Sequence, residues 1–217
     1  MLLYYITDRK RFPGDETARR EALLKKIAQA AQNGVDFIQL REKDLSGREL
    51  ELLANDAVRA VRENSPAAAQ TTRILINSRT DIALVSGADG VHLPADDISP
   101  GDVRSIWSKA AARCGRTSTP PLITLSCHSE HEVAKAASGG ADYAIFAPVF
   151  EKLGAPSMTG AGLDALQTAC QQSIPVLALG GVTLENATTC VQAGAVGIAA
   201  IRLFQENEIT DVIKRLR

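Results

Sequence analysis

No apolar run in this chain approaches the roughly 18 residues of a membrane-spanning helix. The N-terminal MLLYYITDRK lacks a signal-peptide pattern, so the expected location is the cytoplasm. There is no excess of charge: 24 basic residues against 25 acidic ones leave a net charge of −1. That argues against broad non-specific nucleic-acid binding, which needs a basic surface, while leaving room for a local cationic pocket. Aromatics are only 4% of the chain and, like Trp107, too scattered to stack nucleic-acid bases. The four cysteines, Cys114, Cys127, Cys170 and Cys190, share neither a CxxC nor a His-linked spacing, which reads as small core residues rather than a metal site. Ser126 has no triad partner, which discounts nucleophilic catalysis. A GxGxxG after the first strand is also missing.

What the chain does contain is alternation. Short apolar or β-branched runs at 2–6, 35–40, 73–77, around 90–93, 122–126, 141–150, 174–181 and 194–201 are separated by segments of helical period. The first of these, 16–33, puts Ala18, Leu23, Leu24, Ile27 and Ala31 on one stripe and stops at Gly34. The second starts at Ser46 with Glu49 three residues on, a capping-box pattern, and carries Leu50, Leu53, Ala57 and Val61 inward. Further helices are expected near 100–112, 129–138, 163–172 and 183–193, with a short one through Leu84 and Val85 and one final helix. Segments 64–72, 115–121 and 151–160 read as loops.

Strands joined by helical crossovers pair in parallel, and eight such units are the number that closes into a (β/α)8 barrel. No compositional break marks a linker, so residues 1–217 read as a single TIM-barrel domain of the α/β class. The chain is short for that fold, where about 250 residues is typical, so its loops must be tight. An open doubly wound sheet is the other arrangement of such units, and the absent glycine fingerprint counts against it.

In a barrel the active site lies at the C-terminal strand ends. The most informative end is VDFIQLREKD, 35–44, where a buried strand runs into a polar cluster. At the two-residue period of a strand, Gln39, Arg41 and Lys43 project to the same side. An amide and two cations in one space suit an anion with a hydrogen-bonding ring; the other reading is a charged surface turn. The remaining strand ends offer Thr7 and Asp8, Asn77, Asp96 and Asp97, Ser126 and His128, Pro148, Gly180 and Gly181, and Ile201 with Arg202. Gly180-Gly181 and the backbone at Ile201 fall where barrels often bind phosphate through main-chain amides, although glycines there also simply end a strand. Arg41 and Lys43 with Asp97 suit a diphosphate carrying Mg²⁺, although a lone aspartate also serves as a cap. His92 in GVHL reads as a packed or hydrogen-bonded histidine, and His128 and His131 as capping or surface groups.

Seven segments in order, QLREK (39–43), ILINSR (74–79), GADGVHLPADD (87–97), LSCHS (125–129), GADYAIFAPVF (140–150), PVLALGGVT (175–183) and AGAVGIAAI (193–201), resemble the thiamine phosphate synthase / TenI superfamily. The resemblance implies a (β/α)8 barrel joining hydroxymethylpyrimidine diphosphate to thiazole phosphate, with Mg²⁺ and release of pyrophosphate. It implies that Gln39, Arg41, Lys43 and Asn77 hold the pyrimidine diphosphate and that Ser126 contacts the pyrophosphate. It places Asp97 as one Mg²⁺ carboxylate, and Gly181 with Ile201 at the thiazole phosphate. The expected partners are therefore small-molecule substrates, with no nucleic acid or membrane and with a homo-oligomer left open.

Several positions depart from the synthase pattern. The family's Asn-Asp-Arg is Asn77-Ser78-Arg79 here, which puts a hydroxyl in place of the second Mg²⁺ carboxylate. The Thr-x-Thr-Lys loop after PVF reads EKLGAPSMTG (151–160), with Lys152 as the nearby cation and Ala155 at the lysine position. Arg202 replaces a small serine, where it would either clasp a phosphate or block the site. The alternatives are a TenI-like thiazole phosphate isomerase, whose histidine is replaced by Pro148, and a non-catalytic phosphate-ligand-binding barrel.

Overall fold

The eight apolar runs become eight parallel strands that close on themselves. A computed structural model describes residues 1–66, 72–113, 119–151 and 160–217. In it β1 (Leu2–Ile6), β2 (Phe37–Leu40), β3 (Arg73–Asn77), β4 (Gly90–Leu93), β5 (Leu122–Cys127), β6 (Tyr143–Phe146), β7 (Val176–Leu179) and β8 (Gly197–Ala200) pair in sequence order, and β8 pairs back with β1. The open-sheet alternative is thereby excluded. The connecting helices are α1 (Glu16–Gln32), α2 (Gly47–Asn64), α3 (Thr80–Ser86), α4 (Pro100–Arg113), α5 (Glu130–Ser138), α6 (Gly162–Ala169) and α7 (Ala187–Gln192). The expected single final helix is two, α8 (Arg202–Gln205) and α9 (Ile209–Leu216). No described helix is long and apolar enough to cross a membrane.

Alternation along the strands sorts side chains between two cores. Tyr4, Ile6, Phe37, Leu75, Leu122, Ile145, Leu177 and Ala199 fill the barrel, while the larger cluster lies between strands and helices. Helix α2 follows its sequence signals closely. Ser46 and Glu49 form the capping box, and Leu50, Leu53, Ala57 and Val61 are buried. In α1 the buried face is Leu23, Ile27, Ala30 and Ala31; Ala18 is exposed because it lies in the first turn, where Asp15 caps its amide.

Where boundaries moved, hydrogen bonds explain the change. Val35 donates its amide to the α1 carbonyl of Ala30, so β2 begins only at Phe37. The stretch 183–186 stays out of α7 because the Asn186 side chain accepts from the Thr183 amide (2.7 Å) and donates to the Gly181 carbonyl (3.0 Å). Cys127, Cys170 and Cys190 are free and at least half-buried, with burial pushing their thiols up to about 12, 11 and 11. They are inert packing groups, as their spacing suggested. Cys114, Lys152, Ala155 and most of the expected loops at 64–72, 115–121 and 151–160 lie outside the described residues.

Candidate active site

The C-terminal ends of β2 to β5 gather the polar side chains of the barrel mouth. Gln39, 1% exposed, donates from Nε2 to Asn77 Oδ1 at 2.9 Å, and Asn77 Nδ2 donates to Ser78 Oγ at 3.1 Å. Gln39 Oε1 is buried with no partner among the described residues. A buried acceptor without a donor is costly unless a ligand supplies one.

β2 ends at Leu40, and residues 41–44 turn away from the ladder. Yet the alternation of the strand persists, because Glu42 is drawn into the wall. Its carboxylate, on a side chain 1% exposed, accepts from Thr7 Oγ1 at 2.7 Å, from the Arg9 amide at 3.1 Å and from Arg9 Nη1 at 3.1 Å. Thr7 Oγ1 in turn accepts the Arg41 amide at 2.9 Å. Arg9 is buried as well, and its other bonds run to Glu16 and, bidentately, to Asp44 at 2.8 Å. Burial pushes the Glu42 carboxyl up against the opposing pull of Thr7 and Arg9, while Arg9 holds Asp44 well below the usual carboxylate range. With Glu42 fastened inward, Arg41 and Lys43 are left facing the mouth. Neither side chain has an ion pair or hydrogen bond among the described residues.

A second polar array, carried by β1, β4 and β5, lies inside the barrel. Tyr4 Oη and Thr124 Oγ1 are 3.1 Å apart, Thr124 Oγ1 and His92 Nδ1 2.8 Å, and His92 Nε2 and Ser126 Oγ 2.8 Å. Burial, with the positive charges of Arg41 and Lys43, pushes the His92 imidazole down to about 3, so it is neutral. The same effect places both cations in the field of the mouth. His128 Nδ1 donates to the Ala147 carbonyl at 2.7 Å and its backbone amide donates to Glu132, a capping role; His131 is exposed.

Asp97 is half-buried, and its Oδ1 accepts the Ile98 amide at 2.8 Å. Ser78 is the one non-glycine among the described residues with positive φ, 61°, held there by its amide bond to the His92 carbonyl at 2.8 Å. No group of three His, Cys, Asp or Glu side chains suited to a metal occurs among the described residues. One carboxylate and one hydroxyl are too few donors to hold Mg²⁺ by themselves, and a site of that kind needs substrate phosphates to complete the coordination.

On the far rim, Gly180 and Gly181 adopt φ of 99° and 64°. A Cβ on Gly181 would stand 2.6 Å from the Glu151 carbonyl oxygen and 2.7 Å from Phe150 Cβ. These glycines thus let the β7 end approach the 148–151 segment, where Pro148 follows a cis bond. Ile201 is half-buried at the N-cap of α8, and Arg202 is exposed in its first turn. A cavity of about 310 Å³ opens beside the β2 and β3 ends, lined among others by Lys43, Asn77, Ser78 and Arg79.

Gln39, Arg41, Lys43, Asn77, Ser78 and Ser126 thus share one side of the mouth, with the Gly180-Gly181 rim apart from them. Sequence reasoning missed Arg9, Glu42, Tyr4 and Thr124. The signal was there for Glu42: it alternates in phase with Leu40, so an acid stood in a position that faces the wall and needed a buried cation.

Parallel strands, bare cations and main-chain turns at the strand ends define a phosphate-handling (β/α)8 enzyme. The thiamine monophosphate synthase family profile matches residues 3–204, and the chain belongs to that family. It is 38% identical to the putative thiamine-phosphate synthase 2 of Aquifex aeolicus, over 94% of this chain and 97% of that one. It is 35% identical to the thiamine-phosphate synthase of Methanoculleus marisnigri, over 99% and 93% respectively. The solved thiamine phosphate pyrophosphorylase of Pyrococcus furiosus superposes with a TM-score of 0.78 at 26% identity, covering 100% of this chain and 93% of that one.

Proposed function

We propose that this protein is a thiamine phosphate synthase that joins hydroxymethylpyrimidine diphosphate to thiazole phosphate and releases pyrophosphate. The observation that carries the reading is the pair of cations, Arg41 and Lys43, at the end of the strand that bears Gln39 Oε1, all three without a hydrogen-bond or ion-pair partner among the described residues. Gln39 and Asn77 hydrogen-bond the pyrimidine ring, and Gln39 Oε1 accepts from its exocyclic amine. Arg41, Lys43 and Ser126 bind the diphosphate oxygens, and Asp97 with Ser78 would hold Mg²⁺ against them. Bound there, Mg²⁺ supplies charge neutralisation for the leaving group.

The C–O bond to the diphosphate breaks with its electron pair leaving on oxygen, and the thiazole nitrogen lone pair then forms the new C–N bond to the pyrimidine carbocation. The protein's share of the work is electrostatic: fixed positive charge and donors placed where negative charge accumulates. The thiazole phosphate takes the Gly180, Gly181, Ile201 and Arg202 rim, so the two phosphate groups sit on opposite sides of the barrel axis.

Purified protein mixed with both substrates and Mg²⁺ should yield thiamine phosphate and pyrophosphate in equal amounts. Absence of product from a protein shown to be folded would refute the reading. Calorimetry with each ligand separately then distinguishes the alternatives, since a thiazole phosphate isomerase binds that ligand alone.

A further inference from the structure

We propose that His92 is a positioning residue: locked with its proton on Nε2 by Tyr4 and Thr124, it makes Ser126 a donor-only hydroxyl toward the diphosphate. This rests on the assignment of Ser126 to the diphosphate above. The direction follows from counting protons along a chain with one closed end. Tyr4 and Thr124 are fully buried, and among the described residues the phenol has only Thr124 as partner. If Tyr4 donates to Thr124, the threonine proton must go to His92 Nδ1, its only other described partner. A neutral imidazole has one donor and one acceptor, so Nε2 carries the proton and gives it to Ser126 Oγ, 2.8 Å away. Ser126 then has its own proton free to point into the mouth. Run in reverse, the chain strands the phenol hydrogen of Tyr4 without an acceptor. If Nδ1 and Tyr4 both donate to Thr124, the threonine hydrogen is stranded instead. Either arrangement is disfavoured by roughly an order of magnitude in population.

The consequence is chemical. Diphosphate oxygens only accept hydrogen bonds, so a serine whose proton went to the imidazole would present lone pairs to them. The buried chain removes that choice before the ligand arrives, which is preorganisation carried by three residues that do not touch the ligand. Arg41 and Lys43 cooperate by disfavouring a second proton on the ring.

The test has a spectroscopic and a binding arm. With ¹⁵N-labelled histidine, His92 is assigned by the signal lost in His92→Gln, and long-range proton–nitrogen correlation reads its tautomer. The expected result is protonated Nε2 and bare Nδ1 in the wild type, with a mixture in Thr124→Val. In calorimetry with inorganic pyrophosphate, His92→Gln, whose amide offers an N–H near the Nε2 position, should stay within about twofold of wild type. His92→Leu should lose about tenfold, the scale of one hydrogen bond to a charged group, and Thr124→Val, with only part of its rings in the wrong tautomer, about threefold. A wild-type ring protonated on Nδ1 overturns the proposal, and so does unchanged affinity in Thr124→Val while Arg41→Ala weakens binding. If Arg41→Ala is also without effect, the assignment of the diphosphate site is what fails, and the role of His92 falls with it.

Discussion

Arg9 is the buried hub beneath the anion site, and Arg9→Met removes its charge while keeping most of its volume. The guanidinium, 3% exposed, satisfies Glu42, Asp44 and Glu16 at once. Glu16 and Asp44 are 46% and 38% exposed, so water replaces Arg9 for them at little cost. Glu42 is different: it is 1% exposed at the side chain and keeps only the Thr7 hydroxyl and the backbone amide of residue 9. Removing one partner of a buried ion pair costs about 3–5 kcal/mol. The two surviving hydrogen bonds argue for the lower end, about 3 kcal/mol.

The loss should also depend on pH. Burial already raises the Glu42 carboxyl, and without Arg9 it rises further, so protonation relieves the stranded charge. Urea unfolding at pH 7.5 should show the full loss, and at pH 5 a smaller one. Adding Glu42→Gln to Arg9→Met should recover part of the stability at neutral pH, since both charges are then gone. A loss below about 1 kcal/mol, equal at both pH values, would refute the claim that Glu42 depends on Arg9. Pyrophosphate affinity offers a second readout: the turn bearing Arg41 and Lys43 loses its anchor, so binding should weaken although neither cation was touched.

Three further expectations follow from separate observations. Ser78→Asp adds a carboxylate beside Asn77 and should raise Mg²⁺ affinity in the presence of pyrophosphate; an unchanged metal titration would show that position 78 lies away from the metal. His92 titrates at about 3 when folded against 6.5 ordinarily, so its contribution is intact above 6.5 and lost as pH falls towards 3. The slope is up to about 1.4 kcal/mol per pH unit, and stability curves of wild type and His92→Gln should diverge in that window; parallel curves would mean the ring charges freely in the fold. Gly181→Ala, at φ 64° with a Cβ 2.6 Å from the Glu151 oxygen, should cost about 2 kcal/mol of stability, whereas near-neutrality would show the rim can spread.

How much of this was legible beforehand differs by the kind of information each residue carries. The barrel was readable because it rests on a count: eight apolar runs, each followed by helical period, admit few closed arrangements. Boundaries shifted where side chains capture backbone groups, as Asn186 does in holding 183–186 out of α7, an effect that periodicity does not encode. Gln39, Arg41 and Lys43 were readable from strand alternation, although the strand ends at Leu40. Their common direction survives because Thr7 and Arg9, more than thirty residues away in sequence, fasten Glu42 and the Arg41 amide on the opposite side.

The Tyr4–Thr124–His92–Ser126 array was not readable at all, since each member looks ordinary in its own strand. Read alone, His92 is a packed histidine, and that reading is correct as far as it goes. What turns packing into function is register: His92 stands opposite Asn77 on one side and Thr124 on the other, and Ser126 stands one pleat above Thr124. A one-residue slip in β5 would face Thr124 and Ser126 toward the helices and break every link. The chemistry of the mouth is therefore set as much by the shear of the barrel as by the residues at its rim.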